Sequence, residues 1–259
     1  YSVYIVGFII VSLFFLGTIF GSFVNVLIDR LPRGESLIKG RSHCDSCKKR
    51  IKSYDLIPVI SYLLLRGKCR HCKAKIPRRV ITVEIVSGFQ FTLLFLFSFE
   101  SLASFILLCA VSLLVLAIAV IDIEHGIILD ILLVALGVIA VFYILLLAPL
   151  LFLSHFITGF VAFLFFFIVF LVTRGRGIGF GDVKYAFFIG FLLGSLLTIV
   201  AMYVAFLTGA LLSIILVIAH KKKLKGSTIP FGPFLSLGVF VSILIGPELI
   251  QIVRPYIGF

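Results

Sequence analysis

Two carboxylates, Asp122 and Asp182, are the side chains of this sequence best suited to acid–base chemistry. They lie in the stretches AVIDIEHGIILD and RGRGIGFGDVKYAFF, and each adjoins a long apolar run. An ionisable group near the hydrocarbon of a membrane is costly, and is by default a functional hypothesis. Two carboxylates brought close together share a proton, so that one serves as base and the other as acid. An aspartic protease activates water on a peptide bond in this way.

Glycines alternate before Asp182, at positions 175, 177, 179 and 181. They remove side chains from the approach to the carboxylate and let an extended substrate lie against the backbone. Gly179 and Gly181 are therefore candidate substrate-binding residues. An alternative stays open, because an acid at a helix N-terminus is favourable. Both aspartates could simply cap helices, and their spacing does not decide between the two interpretations.

Four of the five cysteines form two C-x-x-C pairs, CDSC and CRHC. Two such pairs can close a tetrahedral zinc site of the structural kind, although the stretch between them is slightly longer than usual. The candidate ligands are Cys44, Cys47, Cys69 and Cys72. A reducing cytoplasm disfavours disulfides, and four unmetallated thiols are the alternative. His43 and His71 adjoin the pairs as weaker candidates, while Cys109 is assigned to helix packing.

The elements that position these groups are membrane helices. The chain is 62% hydrophobic and only 13% charged, unlike a soluble domain. Runs of the length that crosses a bilayer predict eight spans. They cover roughly 3–27, 82–98, 102–121, 127–147, 150–173, 183–194, 197–219 and 230–253, with an uncertain break at Gly194-Ser195. Residues 1–28 are predicted to be an anchor helix and not a removed signal peptide. One long polar segment, 29–80, interrupts the apolar pattern.

Basic residues indicate the orientation. Of the 23 Lys and Arg, most fall between Arg30 and Arg79, and two smaller clusters lie at 174–184 and 221–225. With eight spans these clusters follow spans one, five and seven, which share a side, and the positive-inside rule makes that side cytoplasmic. Seven spans would divide the clusters between the two sides. The basic excess is thus assigned to orientation and lipid contact, and nucleic-acid binding is not expected.

The remaining charged groups receive simpler interpretations. Glu84 is expected at the membrane interface, close to Arg78 and Arg79. Asp130 is expected at a solvated helix start, and Lys184, about 200° around a helix from Asp182, is not expected to pair with it. The KKKLK stretch at 221–225 is expected to be a solvated loop that touches anionic lipid.

Five blocks, taken together and in order, identify a family. They are GSFVNVLIDRLPRGES, SHCDSCKKRIKSYDLIPVISYLLLRGKCRHCKAKI, IDIEHGIILD, GFGDVK and IPFGPFLSLG. The chain resembles the type IV prepilin peptidases, which are bifunctional leader peptidases and N-methyltransferases. The resemblance covers most of the sequence. One departure is Leu129, where the family usually has proline.

The resemblance implies an all-α polytopic membrane protein with about eight helices and a GxGD-type aspartic protease site. Its catalytic pair falls on Asp122 and Asp182, and its zinc ligands fall on the four cysteines of the C-x-x-C pairs. Gly67 and Lys68 match a pair that is associated with methylation. The implied domains are a first helix at 1–28, a cytoplasmic zinc domain at 29–80 and a seven-helix peptidase domain at 81–259.

The implied reaction is cleavage after the glycine that ends the basic leader of a type IV prepilin or pseudopilin, followed by methylation of the new N-terminus with S-adenosylmethionine. The implied location is the bacterial cytoplasmic (inner) membrane, with the active site and the zinc domain on the cytoplasmic side. The oligomeric state stays open. Three alternatives also stay open: a peptidase that does not methylate, an ion-coupled transporter that uses the two acids, and a scaffold without chemistry.

Overall fold

The structure is a computed structural model that describes residues 2–37, 40, 42–219 and 229–257. The described chain is helical, with two isolated β-bridges and no β-strand. Its α-helices are α1 (Ser2–Arg30), α2 (Ile60–Leu64), α3 (Arg78–Ser98), α4 (Leu102–His125), α5 (Asp130–Leu147), α6 (Phe152–Thr173), α7 (Phe180–Ile218) and α8 (Gly232–Ile257). Short 3₁₀ turns occupy Leu31–Arg33, Ser53–Leu56 and Pro149–Leu151. The KKKLK stretch lies outside the described residues.

The helices confirm the prediction of an all-helical membrane protein. Six of those described, α1 and α3 to α7, are long and apolar enough to cross a bilayer. Helix α8 is apolar over the shorter stretch Gly232–Gly246. Helix α7 has 39 residues, about 58 Å if it were straight, which is nearly twice the thickness of the hydrocarbon.

Helix α7 reverses direction at Gly194, where the backbone leaves the helical region with φ 72° and ψ 179°. Before the reversal, α7 runs antiparallel to α6: Phe180 contacts Phe170, and Gly190 packs on Gly159. After it the chain returns along α6, because Phe206 stacks on Phe166. The two legs correspond to predicted spans six and seven. The eight predicted spans are thus α1, α3 to α6, both legs of α7, and α8.

The chain divides into two compact units, residues 1–96 and 97–259. In the first unit, α1 packs closely on α3, since a Cβ on Gly17 would lie 2.5 Å from the Ser87 carbonyl oxygen. The Asn25 amide of α1 donates to the Val80 carbonyl of α3. The cysteine-bearing segment between these helices belongs to the same unit.

Glu84 is more buried than its sequence position suggests. It lies in the first turns of α3, a few residues after Arg78 and Arg79, with only 4% of its surface exposed; its level relative to the membrane interface stays a prediction. Its carboxylate accepts a hydrogen bond of 2.7 Å from the Val59 backbone N–H. The physical reason is that the segment before α2 folds back over the start of α3. A buried carboxylate requires hydrogen-bond donors of this kind.

In the second unit, α7 packs against α5, α6 and α8, and α4 packs against α5 and α8. The core is formed by large apolar side chains that are completely or almost completely buried. They include Phe166, Ile118, Ile121, Leu133, Leu136, Ile189 and Leu235. This packing gathers one end of α4, α6, α7 and α8 into a common face, where the polar groups described next are found.

Candidate active site and metal centre

Asp122 lies in the last turn of α4 and is only 5% exposed. Its Oδ2 accepts a hydrogen bond of 2.9 Å from the N–H of Gly232, the first residue of α8. The partial positive charge of a helix N-terminus stabilises an anion in this position. A Cβ at position 232 would lie 2.6 Å from the same oxygen. Glycine is therefore required for this close approach.

Asp182 lies in the first turn of α7 and is 7% exposed. Its Oδ2 accepts a hydrogen bond of 3.1 Å from the Gly179 N–H, so the carboxylate does cap its own helix. The other oxygen, Oδ1, is buried and has no hydrogen-bond partner among the described residues. Capping therefore uses one oxygen of Asp182 and leaves the second available to another partner.

The fold brings Asp122 and Asp182 into one cluster. Asp122 binds the start of α8, which is joined to α7 one turn deeper, and Asp122 lies near enough to Asp182 for the two carboxylates to interact electrostatically. Exposed residues adjoin both, Glu124 on one side and Gly179 on the other, so the pair lies just inside the surface of its unit. Two neighbouring carboxylates in such a place can share a proton and hold a water molecule between them.

A buried hydrogen bond between α7 and α8 lies next to the two aspartates, on the side facing the interior of the unit. The hydroxyls of Tyr185 and Ser236 lie 3.0 Å apart, one turn deeper on α7 and α8 than Asp182 and Gly232. Sequence reasoning missed this pair and the role of Gly232, because the partners lie 50 or more residues apart in the chain. The only sequence signal was that Gly232 and Ser236 lie inside a block shared with the family and that Tyr185 directly follows another.

Asp130 begins α5, and its side chain is 70% exposed. This confirms the predicted solvated helix start. Its carboxylate forms an ion pair with the Lys184 ammonium. Lys184 thus faces α5 and not Asp182, as its angular separation on the helix predicts.

The two candidate substrate-binding glycines occupy different surroundings. Gly179 is exposed and is the N-cap residue of α7. Gly181 is partly buried, and a Cβ there would lie 3.1 Å from Cβ of Ile128. Gly179 is therefore open to a ligand, whereas Gly181 allows α7 to pack against the α4–α5 connection. Substrate binding by either residue stays a prediction.

The four cysteines of the two C-x-x-C pairs converge in the first unit. All four sulfur atoms lie within 4.8 Å of one another, and Cys44 Sγ lies 3.8 Å from Cys72 Sγ. Sulfur atoms around zinc, at about 2.3 Å from the metal, are separated by about 3.8 Å in a tetrahedron. The cluster can therefore hold zinc. Within the described residues, the group comprises the cysteines only and excludes His43 and His71.

The two cysteine pairs occupy matching turns. The N–H of Lys48 donates to the Cys44 carbonyl, and that of Lys73 donates to the Cys69 carbonyl. Lys48 and Lys73 both have positive φ. Backbone N–H groups of Cys72 and His71 lower the pKa of the Cys69 thiol to about 6, whereas burial and the other three sulfur atoms raise the pKa of the Cys72 thiol to about 11. Thiolate is the form that binds a metal.

A cavity of about 270 Å³ lies beside the cysteine cluster, entirely within the first unit. Tyr62 lines it and packs over Gly67, where an added Cβ would lie 2.9 Å from the tyrosine Oη. Gly67 has φ 65°, which favours glycine. Lys68 is exposed and does not line the cavity. Gly67 is not a lining residue either, and the association of Gly67 and Lys68 with methylation stays a prediction.

Two family models match the chain. The model described as Bacterial Peptidase A24 N-terminal domain matches residues 15–98. The model described as Type IV leader peptidase family matches residues 109–214. The two matches follow the division of the chain into its two units.

Curated proteins similar to this chain carry closely related names. The "Type 4 prepilin-like proteins leader peptide-processing enzyme" of Escherichia coli O78:H11 is 34% identical over 88% of this chain and 90% of its own length. The "Prepilin leader peptidase/N-methyltransferase" of Vibrio cholerae is 36% identical over 74% of this chain and 78% of its own length. The protein of the same name from Bacillus subtilis is 31% identical over 92% of this chain and 95% of its own length. No solved structure matches the chain.

Proposed function

The chain belongs to the type IV leader peptidase family, and we propose that it removes the basic leader from type IV prepilins or pseudopilins and then methylates the new N-terminal amine. It is a membrane enzyme of the prepilin leader peptidase kind. In this proposal Asp122 and Asp182 are the catalytic pair. Residues 81–259 carry the peptidase site, and residues 29–80 form the zinc domain associated with methylation.

One observation carries the peptidase assignment. The two acids come from distant parts of the chain, yet both are buried in one cluster, each with its Oδ2 bound by a backbone N–H. The second oxygen of Asp182 has no partner among the described residues. A purely capping role does not require the two carboxylates to be neighbours, since like charges brought together repel.

The proposed cleavage follows from the shared proton. The ionised carboxylate takes a proton from a water molecule, whose oxygen then attacks the carbonyl carbon of the scissile peptide bond. The protonated carboxyl group gives its proton to the departing amine as the C–N bond breaks. The N–H groups of Gly179 and Gly232 hold the two carboxylates in position throughout.

The proposed methylation belongs to the first unit. S-adenosylmethionine, when bound, supplies an electrophilic methyl group to the free amine that cleavage has produced. The four-cysteine cluster holds zinc in this proposal, and its role is structural because four thiolates leave no open coordination position. The unit buries few large side chains around the cysteines, so the metal would contribute much of its folding free energy.

The position of the two acids disfavours the transporter alternative. Ion-coupling acids usually lie near the middle of the bilayer, whereas Asp122 and Asp182 occupy the terminal turns of their helices. A peptidase that does not methylate remains the second candidate. The cavity beside the cysteine cluster favours the bifunctional enzyme, because a peptidase alone has no need of it.

The test uses the detergent-solubilised chain and a purified prepilin. We expect a mass loss equal to that of the leader and, once S-adenosylmethionine is added, a gain of one methyl group on the product. Cleavage without the methyl gain would support the peptidase-only enzyme. A prepilin of unchanged mass would contradict the proposal.

A further inference from the structure

The cavity in the first unit is walled by the C-terminal part of α1, the start of α3 and the cysteine-bearing segment. Ligand pockets in proteins start at about this size and combine apolar walls with a few fixed polar groups. Apolar side chains such as Ile51, Ile57 and Leu65 line this one. Two of its buried polar residues, Glu84 and Asn25, have hydrogen-bonding capacity that the protein leaves unused.

Glu84 is a fixed and buried acceptor. Its Oε2 accepts the Val59 N–H, and Val59 has φ 61° and ψ −53°. A β-branched residue seldom adopts this conformation, so the surrounding fold must enforce it. A carboxylate has about four lone-pair positions; the Val59 N–H and the Ser22 hydroxyl take two of them, and the others remain for a ligand.

Glu84 also differs from the other acids that line the cavity. Each of those pairs with an arginine; the pairs are Asp29 with Arg79, Asp45 with Arg33, and Asp55 with Arg70. Glu84 forms no ion pair with a described residue. Its carboxyl group is therefore open to a cationic or hydroxyl-bearing ligand.

Asn25 supplies a second acceptor. Its side-chain N–H₂ donates to the carbonyls of Gly21 and Val80, which fixes the orientation of the amide. Its Oδ1 is consequently turned to the other side, where it is buried and has no partner among the described residues. Asn25 is 6% exposed and lines the cavity. A buried acceptor without a donor costs free energy that a ligand can recover.

We propose that this cavity binds the methyl donor S-adenosylmethionine, and that Glu84 and Asn25 accept hydrogen bonds from its hydroxyl or ammonium groups. This inference rests on the methyltransferase half of the proposed function. The ligand has a net positive charge, a ribose with two hydroxyls and a flat base, which match the Glu84 carboxylate, the Asn25 amide oxygen and the apolar walls. The packing of Tyr62 on Gly67 shapes the same wall, which gives Gly67 a positioning role there.

The test measures binding directly. Calorimetry on the detergent-solubilised full chain, with S-adenosylmethionine and with S-adenosylhomocysteine, compares wild type with Glu84→Gln. We expect Glu84→Gln to weaken binding at least about tenfold, because hydrogen bonds to a charged group are the stronger kind. Glu35→Gln is the matched control, since Glu35 is exposed and lies outside the cavity. Zinc content of each variant reports whether the first unit is folded.

A second measurement does not depend on any variant. Ultraviolet cross-linking of radiolabelled S-adenosylmethionine to the wild-type chain, followed by peptide mapping, should label residues within 22–84. Label confined to residues 97–259, or equal affinity of wild type and a zinc-bound Glu84→Gln, would overturn the inference. In both cases methylation of the cleaved prepilin by wild type would leave the proposed function intact. A wild type that cleaves but neither binds the donor nor methylates would overturn both the inference and the methyltransferase half of the function.

Discussion

At the scale of single residues, Asp182 shows that capping a helix is compatible with the proposed catalytic role. Its Oδ2 caps α7 through Gly179, while its Oδ1 remains unpartnered among the described residues. Asp122 is arranged similarly, with its Oδ2 on the first N–H of α8. Each carboxylate is thus held by the positive end of a helix. Rigid hydrogen bonds of this kind position a reacting group without help from mobile side chains.

We expect Asp122→Asn and Asp182→Asn each to lower prepilin cleavage by about 10²-fold to 10⁴-fold, the contribution of general acid–base catalysis. An asparagine oxygen can still accept the Gly232 or Gly179 N–H, so folding should be retained. Leader removal is followed by mass spectrometry. Asp130→Asn is the matched control, because Asp130 is exposed and pairs with Lys184. Full cleavage by either active-site variant would exclude that residue from the catalytic pair.

We expect Gly232→Ala to lower kcat by about 10²-fold, the cost of misplacing a catalytic group by about 1 Å. The added Cβ would lie 2.6 Å from Asp122 Oδ2 and must displace the carboxylate. Steady-state kinetics on a prepilin measures the effect. Gly7→Ala is the control, since no atom lies within 4 Å of its Cβ position. An unchanged kcat for Gly232→Ala would show that the close approach is not needed for activity.

At the scale of elements, the cysteine segment is built from two equivalent turns. Each pairs the backbone on either side of a C-x-x-C sequence, His43 with Arg50 and Lys68 with Lys75. Arg70 makes a bidentate contact to Asp55, which ties the second turn to the neighbouring 3₁₀ helix. The hydrogen bond from Arg70 lowers the pKa of Asp55 below its usual value. The contact therefore remains charged across the physiological pH range.

We expect the purified chain to carry one zinc ion and Cys69→Ser to lose it. Loss of one thiolate removes a quarter of the coordination shell and much of the binding free energy that folds this segment. Elemental analysis measures the metal, and limited proteolysis reports cleavage within 42–76. The control is Cys109→Ser, because Cys109 is buried in α4, away from the cluster. Zinc retained by Cys69→Ser would remove this residue from the ligand set.

The backbone at Gly194 allows α7 to turn back along α6. Its φ and ψ fall in a region that is essentially restricted to glycine and costs other residues about 1–3 kcal/mol. A Cβ there would also lie 3.0 Å from His155 Nε2. We expect Gly194→Ala to destabilise the fold by about that amount, measured by thermal unfolding in detergent. Gly209→Ala is the control, because its new Cβ makes ordinary contacts at 3.4 Å or more. We expect this variant to unfold at the same temperature as wild type. Equal stability of both variants would show that the reversal does not require glycine.

At the scale of the whole molecule, the second unit has one chemically distinct end. The C-terminal turn of α4, the N-terminal turn of α7 and the start of α8 meet there around the two acids. The α6–α7 connection, which contains Arg174 and Arg176, reaches the same end because Phe170 contacts Phe180. The positive-inside rule then predicts that this end faces the cytoplasm.

We expect an epitope inserted after Arg176 to be inaccessible in intact spheroplasts and to become accessible after permeabilisation. An epitope inserted after Leu150, between α5 and α6, should be accessible without permeabilisation, since one helix separates the two positions. Antibody binding to whole and permeabilised spheroplasts measures both. The reverse pattern would invert the proposed orientation and place leader cleavage outside the cell.

Much of this architecture was predictable from local patterns. Apolar run length determines where a helix must cross the bilayer, since every backbone polar group inside it has to be bonded internally. The predicted break at Gly194-Ser195 and the solvated start of α5 at Asp130 followed from glycine and acid placement. The C-x-x-C pairs predicted a cluster because each pair forms one tight turn. The burial of Glu84 was not predictable, because its partner, the Val59 N–H, is supplied by a fold-back with no sequence periodicity.

The sequence by itself determined the kind of protein, the candidate acids and the candidate zinc ligands, because composition and short spacings act locally. Only the tertiary structure decided that Asp122 and Asp182 are neighbours, that Gly232 holds one of them, and that Glu84 and Asn25 face a cavity. These relations join residues that lie 50 or more positions apart. They are set by how helices pack and reverse, and packing depends on the shapes of all the side chains at once.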